Sequence, residues 1–167
     1  MSGVLGGVRV LDFGRFIAGP FAATILGDLG ADVIRIERLD GGEDRWTTPV
    51  TSDGQGALFL QVGRNKRSVT LNPMKEKGRE IMNSLVRSAD IVVANLPPET
   101  RKQMGLDYQS LKSVREDIIV SSVTCFGSGG SFSDRVGFDG LAQAMSGAMH
   151  MTGPEGQPTR NSTPYVD

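Results

Sequence analysis

Carboxylates are the side chains of this sequence best suited to covalent or acid–base chemistry. His150 is the only histidine and Cys125 the only cysteine, so a histidine-paired metal site, a Ser-His-Asp triad and an internal disulfide are not expected. His150 follows an apolar helix end and Cys125 a buried strand, positions typical of structural residues. Asp139 opens a predicted helix, where an acid commonly stabilises the N-terminus. Asp167 ends a proline-broken loop, and spacing alone gives it no role.

A dinucleotide site of the usual kind is not favoured. The fingerprint G-x-G-x-x-G is absent after the first predicted strand, since four residues separate Gly14 from Gly19, and no P-loop motif occurs. Glu37 ends the second strand, where an acid binds ribose in NAD proteins. One acid without the glycines makes NAD binding the weaker interpretation.

Two polar segments are further candidates for a binding site. Arg64, Lys66 and Arg67 form the densest basic cluster and directly precede a short predicted strand. This cluster is either a solvated face or an anion site. The loop 39–56 contains the only tryptophan, Trp46, and is either a surface loop or a lid over a ligand.

The segment 7–38 predicts the βαβ unit that would position such a site. Apolar strand formers at 8–13 predict a first strand, and the run at 33–36 predicts a second. Pro20 suits the first turn of the intervening helix, and Gly30 suits its C-terminal cap. Phe21, Ile25, Leu26 and Leu29 recur at helical spacing and predict this helix. Ligands bind in loops at the carboxyl ends of such strands.

The rest of the chain continues the alternation of strands and helices. The patterns predict strands near 69–71, 91–94 and 118–123, and helices at 74–88, 99–105, 108–114 and 138–149. In the 74–88 helix, Ile81, Met82, Leu85 and Val86 are expected to face inward. About four or five parallel strands with helices on both faces are therefore expected, an α/β fold.

Length and charge exclude several classes of function. The chain has 167 residues, 18 basic and 19 acidic, with a net charge of −1. This balance argues against a nucleic-acid partner. No apolar run is long enough to span a membrane, and the N-terminus lacks the features of a signal peptide. We therefore expect a cytoplasmic protein with no membrane partner.

A set of segments in order resembles the class III coenzyme A-transferase family, the group of formyl-CoA transferase and carnitine CoA-transferase. The segments are LDFGRFIAGPFA (11–22), LGADVIRIER (29–38), NKRSVTLN (65–72), ADIVVANLPP (89–98), MGLDY (104–108) and RVGFDGLAQAMSG (135–147), followed by MTGPEGQPTR (151–160) and Asp167. The resemblance implies a Rossmann-like parallel sheet, with a CoA-binding core at about 5–150 and an active-site loop at 151–167. It also implies a longer polypeptide that forms an interlinked homodimer, of which this sequence is the first half or less.

The resemblance also implies a set of residues that contact coenzyme A, bound as a substrate, and it implies no metal. Phosphate groups need arginine, lysine or backbone N–H donors. The implied contacts lie in loops after the strands and before the last helix, with adenine near Asn95. They are Ile17, Ala18, Arg38, Leu71, Asn72, Pro73, Met74, Asn95, Leu96, Pro97, Gln103, Val136, Gly137, Phe138 and Asp139. We expect the basic cluster to contribute charge as well.

Asp167 matches the nucleophilic aspartate of this family. The implied reaction moves CoA from an acyl-CoA thioester to a carboxylic acid through an aspartyl anhydride and an aspartyl-CoA thioester. Covalent catalysis of this kind divides one difficult exchange into smaller steps. Oxyanion donors are expected from a glycine-rich loop outside this sequence. The donor and acceptor acids are not indicated.

Three departures from the family pattern bear on the activity. Ile17 stands where formyl-CoA transferase has a glutamine, which argues against formyl or oxalyl specificity. Gln103 stands where that enzyme has an arginine, so one phosphate contact is weaker or comes from Arg101 or Lys102. Phe138 stands where racemases of the same fold have a histidine base, and phenylalanine cannot transfer a proton. An acyl-CoA racemase or isomerase and an inert CoA-binding fragment remain the alternatives.

Overall fold

The computed structural model describes residues 3–167, which divide into two compact units. The first unit ends at Val123, and the second is Thr124–Asp167. The core predicted at about 5–150 therefore extends into the second unit. Among the described residues, no helix has the length and apolar character that crossing a membrane requires.

The first unit alternates strands with helices. Its strands are β1 (Arg9–Asp12), β2 (Asp32–Glu37), β3 (Lys66–Thr70), β4 (Ile91–Ala94) and β5 (Ile119–Ser122). Its helices are α1 (Ala18–Asp28), α2 (Ala57–Val62), α3 (Glu76–Arg87), α4 (Pro98–Gln103) and α5 (Tyr108–Val114), with a 3-10 helix at Glu43–Trp46. The second unit contains α6 (Asp139–Met145), followed by turns that reach Asp167.

The five strands form one parallel sheet in the order β3-β2-β1-β4-β5. Leu11 of β1 lies opposite Ile34 of β2 on one side and Val92 of β4 on the other. The strand order reverses between β1 and β4, which creates a crevice at their carboxyl ends. The predicted fold class is confirmed.

Alternate residues of the strands enter two separate hydrophobic cores, one on each face of the sheet. Leu11, Ile34 and Val92 face a core with Met82 and Val86 of α3. Val10, Val33 and Val93 face the opposite core, which includes Ala23 of α1. Helices on both faces explain why β4, Ile91–Ala94, is apolar throughout rather than alternating.

The apolar residues that predict α1 lie mostly outside its buried face. Phe21, Ile25 and Leu29 are exposed, and the buried residues are Gly19, Pro20, Ala23, Thr24 and Gly27. A Cβ at Gly27 would lie only 3.3 Å from Val33 Cγ2, so the helix packs too closely on the sheet for large side chains. Helical spacing thus predicted the helix correctly, and of its four apolar residues Leu26 packs against the core.

The predicted cap of α1 is confirmed at Gly30, which has φ +102°. The Ala31 N–H donates to Leu26 O at 3.0 Å, and the Gly30 N–H donates to Gly27 O at 2.9 Å. This is the Schellman arrangement that favours glycine at its left-handed position. The turn directs the chain from α1 into β2.

Other elements agree with the sequence to different degrees. The bounds predicted for β4 and α5 are those observed. The helix α2 was not among the predicted elements, and α6 ends at Met145 rather than Met149. In α3, Met82 and Val86 are buried as predicted, whereas Ile81 is half-exposed.

Candidate active site

A cavity of about 460 Å³ opens at the carboxyl edge of the sheet in the first unit. Residues that follow β1, β2, β3 and β4 line it together with α4, at 13–15, 35–40, 42–43, 71–74, 96, 100 and 104. Six of the residues implied by the family resemblance are among them: Arg38, Leu71, Asn72, Pro73, Met74 and Leu96. The volume lies within the usual range for small-molecule sites.

Asn95 holds the loop after β1 against the end of β4. Its Oδ1 accepts the Arg15 N–H at 2.6 Å, and its Nδ2 donates to Arg15 O at 2.7 Å. The next residue, Phe16, has φ +56°, a left-handed conformation that costs roughly 1–3 kcal/mol for a side chain of this type. The Asn95 side chain therefore positions a strained loop, a role that sequence reasoning did not assign.

Ile17 and Ala18 lie at the start of α1, at the same edge of the sheet. Ile17 is the N-cap residue, and Ala18 is the first helical residue. A Cβ at Gly19 would lie 3.0 Å from Asn95 Oδ1, so this turn approaches the end of β4 closely. The first turn of α1 and the Asn95 amide are thus packed together.

Arg79 of α3 joins two walls of the cavity. Its Nε donates to Pro73 O at 3.0 Å, and its Nη2 donates to Gln103 O at 2.6 Å. The Gln103 side chain donates to Glu99 at 3.2 Å, and Pro97 is the N-cap of α4. Gln103 and Pro97 therefore shape α4 but are not among the residues that line the cavity.

Glu37 holds the loop between β2 and the 3-10 helix. Its side chain is 1% exposed and accepts two hydrogen bonds from Arg45, both at 2.7 Å. Ser68 Oγ and the Gly42 N–H also donate to it, at 2.7 and 3.0 Å. Burial alone raises the pKa of Glu37, but these donors and the Arg35 charge outweigh it and lower the pKa to about 2. Glu37 therefore has a structural role here and does not serve as a ribose ligand.

A second buried ion pair continues this network. Arg35 Nη2 donates to Asp44 Oδ1 at 2.6 Å, with both side chains at most 3% exposed. The Arg45 guanidinium stacks 3.8 Å above the centre of the Phe59 ring. Trp46, in contrast, is 62% exposed. The first part of the loop 39–56 is thus anchored, which favours the surface-loop interpretation over a lid.

The charged rim of the cavity consists of two arginines and two acids. Arg15 forms a two-point ion pair with Glu43, in which Nε lies 3.1 Å from Oε2 and Nη2 approaches Oε1 closely. Arg38 pairs with Asp40 at 3.0 Å, and its Nη1 lies 3.5 Å from Glu43 Oε1. Arg15 and Glu43 were not among the predicted site residues because the ion pair joins residues 28 positions apart.

The basic cluster does not face this cavity. Arg64 pairs with Asp28 at 2.6 Å and Arg67 with Asp32 at 2.7 Å, at the end of α1 and the start of β2. Both acids lie at the amino edge of the sheet, opposite the cavity. These two arginines therefore do not line the cavity, and their charges are paired with the two acids.

Lys66 of the same cluster is buried in the interior of the first unit. Its Nζ lies 2.7 Å from Asp12 Oδ2 and donates to Pro20 O at 2.7 Å. Burial lowers the pKa of Lys66, although Asp12 opposes this. The Gly14 N–H donates to Asp12 Oδ1 at 2.8 Å, so the pair fixes the loop after β1.

In the second unit, each of the Asp139 and Asp167 side chains accepts a hydrogen bond from the backbone at or next to the other residue. The Asp139 N–H donates to Asp167 Oδ1 at 3.2 Å, and the Val166 N–H donates to Asp139 Oδ1 at 3.1 Å. Asp139 is 3% exposed. Its carboxylate is thus engaged within this unit, and its backbone orients the Asp167 side chain.

Gln143, one turn further along α6, secures the segment that leads to Asp167. Its Nε2 donates to Asp139 Oδ2 at 2.7 Å, and its Oε1 accepts the Asn161 N–H at 2.8 Å. Arg160 Nη2 approaches the same Asp139 oxygen at 3.3 Å. Gln143 is 1% exposed, so this amide is an internal support for the candidate nucleophile.

The three residues before Asp139 were also predicted to contact coenzyme A. Val136 and Phe138 are exposed. A Cβ at Gly137 would lie 2.5 Å from Cys125 Sγ, so the backbone passes this thiol closely. The predicted contacts therefore form two groups, one in each unit. Within residues 3–167, no cluster of three or more His, Cys, Asp or Glu side chains could hold a metal ion.

The sequence matches a known protein family and several characterised proteins over nearly its whole length. Residues 5–167 match the family model described as CoA-transferase family III. The chain is 42% identical over 166 residues to succinyl-CoA:glutarate CoA-transferase of Mus musculus, covering 98% of this chain and 38% of that protein. It is 39% identical over 167 residues to succinyl-CoA:mesaconate CoA-transferase of Haloarcula marismortui, covering 95% of this chain and 42% of that protein. The chain thus spans about two fifths of the length of these relatives.

Solved structures show the same backbone. A CAIB/BAIF family protein from Brucella suis superposes with a TM-score of 0.92 at 36% identity, over 99% of this chain and 45% of that one. A hypothetical protein from Mycobacterium tuberculosis superposes with a TM-score of 0.88 at 33% identity, over 98% of this chain and 45% of that one.

Proposed function

Because this chain belongs to CoA-transferase family III, we propose that the protein transfers coenzyme A from an acyl-CoA thioester to a free carboxylic acid. The family match over residues 5–167 is the observation that carries this proposal. The named relatives, which exchange CoA between succinate and glutarate or mesaconate, support short dicarboxylic acids as the substrate class. In its full-length form the protein acts as a homodimer.

The cavity at the carboxyl edge of the sheet binds the nucleotide part of coenzyme A. Leu71, Pro73, Met74 and Leu96 provide apolar surface for adenine, and Arg38 provides charge for a phosphate. Asn72 completes this wall, and its Oδ1 accepts the Met74 N–H at 3.0 Å. Asn95, Ile17 and Ala18 shape the turn beside the cavity, and Pro97 and Gln103 bound α4.

Asp167 is the nucleophile of the proposed reaction. Its carboxylate oxygen attacks the thioester carbonyl of the donor, the C–S bond breaks, and CoA leaves as the thiolate. The product is a mixed anhydride between Asp167 and the donor acid. The hydrogen bond from the Asp139 N–H to Asp167 Oδ1 supports this assignment, because it fixes the orientation of the carboxylate before the attack.

The later steps return the enzyme to its starting state. The CoA thiolate attacks the Asp167 carbonyl of the anhydride, which releases the donor acid and leaves an aspartyl-CoA thioester. The acceptor carboxylate attacks that thioester, which releases the thiolate and forms a second mixed anhydride between Asp167 and the acceptor. The thiolate then attacks the acceptor carbonyl of this anhydride and expels the Asp167 carboxylate. The new acyl-CoA leaves and the Asp167 carboxylate is restored, so atoms and charge balance.

Two of the residues implied by the family resemblance bear on the choice of substrate and reaction. Ile17 provides no amide for the reacting group, which supports acids other than formate or oxalate. Phe138 has no proton to transfer, so nothing at this position favours a racemase. Val136, Gly137 and Phe138 contribute backbone and apolar contacts to the bound thioester.

Mass spectrometry of the intact full-length protein tests the proposal. After incubation with succinyl-CoA, we expect a CoA-sized or acyl-sized adduct that hydroxylamine removes. The adduct is absent in Asp167→Ala and present in Asp134→Ala, a matched control at an exposed aspartate of the same unit. Unchanged turnover by Asp167→Ala would rule out the covalent mechanism.

A further inference from the structure

We propose that Arg15 and Arg38 form a two-arginine clamp for a phosphate group of coenzyme A, and that Glu43 is the resident counter-ion that this phosphate displaces. This inference rests on the proposed function, since it takes coenzyme A as the ligand. It adds Arg15 as a binding residue and gives Glu43 a competing role. The clamp lies on the rim of the cavity that all three residues help to line.

One carboxylate oxygen of Glu43 lies between the two guanidinium groups. Oε1 is in close contact with Arg15 Nη2 and 3.5 Å from Arg38 Nη1, while Oε2 lies 3.1 Å from Arg15 Nε. Arginine binds carboxylates and phosphates with the same planar fork of donors. The Glu43 carboxylate therefore occupies the position that a phosphate oxygen of a ligand would take.

The rim charges are accessible, unlike the neighbouring pair of Arg35 and Asp44. The side chains of Arg15, Arg38 and Glu43 are 43%, 63% and 30% exposed, whereas those of Arg35 and Asp44 are 3% and 1% exposed. An ion pair at such exposure contributes little to stability. Replacing the carboxylate by a more highly charged phosphate therefore costs little free energy.

Arg15 and Glu43 reach the rim of the cavity from two different loops. Asn95 fixes the Arg15 backbone through two hydrogen bonds, so this guanidinium projects from a defined point. Glu43 begins the short 3-10 helix directly after Gly41 and Gly42, and Gly41 has φ +88°. The Glu43 side chain can change rotamer on this anchored backbone, so it can be displaced while Arg15 stays in place.

Glu43 is charged at neutral pH and therefore competes with an anion. Its partial burial raises its pKa, but its own backbone N–H and the Arg15 and Arg38 guanidiniums outweigh this and hold the pKa of Glu43 below its ordinary value. In the empty site its charge neutralises the arginines. Once a phosphate arrives, the same charge repels it. Removing the Glu43 charge should consequently strengthen binding.

Isothermal titration of the full-length protein with coenzyme A tests the clamp. We expect Glu43→Gln and Glu43→Ala to lower the dissociation constant severalfold, and Arg15→Ala to raise it about tenfold, the effect of one charge-assisted contact. Asp28→Asn, at the exposed Arg64 pair on the opposite edge, is the matched control and should bind as the wild type does. Parallel titrations with dephospho-CoA distinguish the 3′-phosphate from the pyrophosphate as the clamped group.

The outcomes separate this inference from the proposed function. A wild type that binds no coenzyme A contradicts the proposed function itself. A wild type that binds normally, together with unchanged or weaker binding in both Glu43 variants, overturns the counter-ion role. Arg15→Ala with wild-type affinity overturns the clamp.

Discussion

Two charged networks of similar composition occur side by side between β2 and the 3-10 helix, and they differ in burial. The inner network joins Arg35, Glu37, Asp44 and Arg45, and its two acids are 1% exposed at their side chains. The outer network joins Arg15, Arg38, Asp40 and Glu43, with side chains between 30% and 73% exposed. Members of the two networks are neighbours in sequence, such as Glu37 and Arg38, or Glu43 and Asp44.

The comparison shows that burial rather than residue type decides what an ion pair does here. A buried carboxylate and guanidinium are desolvated, and separating them would leave an uncompensated buried charge. The inner network therefore fixes the loop. An exposed pair keeps much of its hydration and can exchange partners, so the outer network can receive a ligand. Mutations in the inner network should therefore affect stability, and mutations in the outer network should affect binding.

The largest effect is expected for Glu37→Ala. This change removes the acceptor of Arg45, Ser68 and the Gly42 N–H and leaves the Arg35 charge poorly compensated. We expect a loss of about 3–5 kcal/mol in the free energy of unfolding, as for breaking a buried ion pair. Urea denaturation measures it, with Glu43→Ala as the outer-network control. Equal losses in the two variants would contradict the division between networks.

A pH series should sharpen the same comparison. The folded-state pKa of Glu37 is about 2, below its ordinary value of 4.5, so its stabilisation is present above pH 4.5 and is lost as the pH falls toward 2. The difference in unfolding free energy between wild type and Glu37→Gln should shrink by about 3 kcal/mol across this window. Urea denaturation at each pH measures this difference. A constant difference between pH 6 and pH 2 would show that Glu37 titrates normally.

Asn95→Ala should affect both properties, because Asn95 connects the interior to the rim. Two hydrogen bonds to Arg15 are lost, and the left-handed Phe16 loses its support. We expect about 2 kcal/mol of destabilisation and weaker binding of coenzyme A. Denaturation and titration calorimetry measure these, with Asn83→Ala on α3 as the control. Destabilisation with unaltered affinity would separate the loop from the binding site.

The sequence predicted an element well where its residue pattern was compatible with only one arrangement. The apolar run Ile91–Ala94 and the segment Tyr108–Val114 have the predicted bounds. The pattern of α1 was compatible with two buried faces, one formed by large apolar residues and the other by glycine, alanine and threonine. Close packing on the sheet buried that smaller face and exposed Phe21 and Ile25.

The candidate site was less predictable, because charge pairing across distant residues leaves no local pattern. Arg64 and Arg67 drew attention as a dense cluster, yet their partners Asp28 and Asp32 are 36 and 35 positions away. Arg15 was overlooked although it lines the cavity, since an isolated arginine has no distinguishing neighbours. The family resemblance named six lining residues but not the contacts that hold them.

The smallest effect on stability should come from Arg38→Ala, and it is the most direct test of the outer network. Its partners Asp40 and Glu43 are solvated, so the unfolding free energy should change by less than about 1 kcal/mol. Affinity for coenzyme A should nevertheless fall about tenfold, because a phosphate loses a charged donor. Denaturation and titration calorimetry on one preparation measure both, and Arg45→Ala should show the opposite profile. A large loss of stability with normal affinity would place Arg38 in the inner network and remove the distinction based on burial.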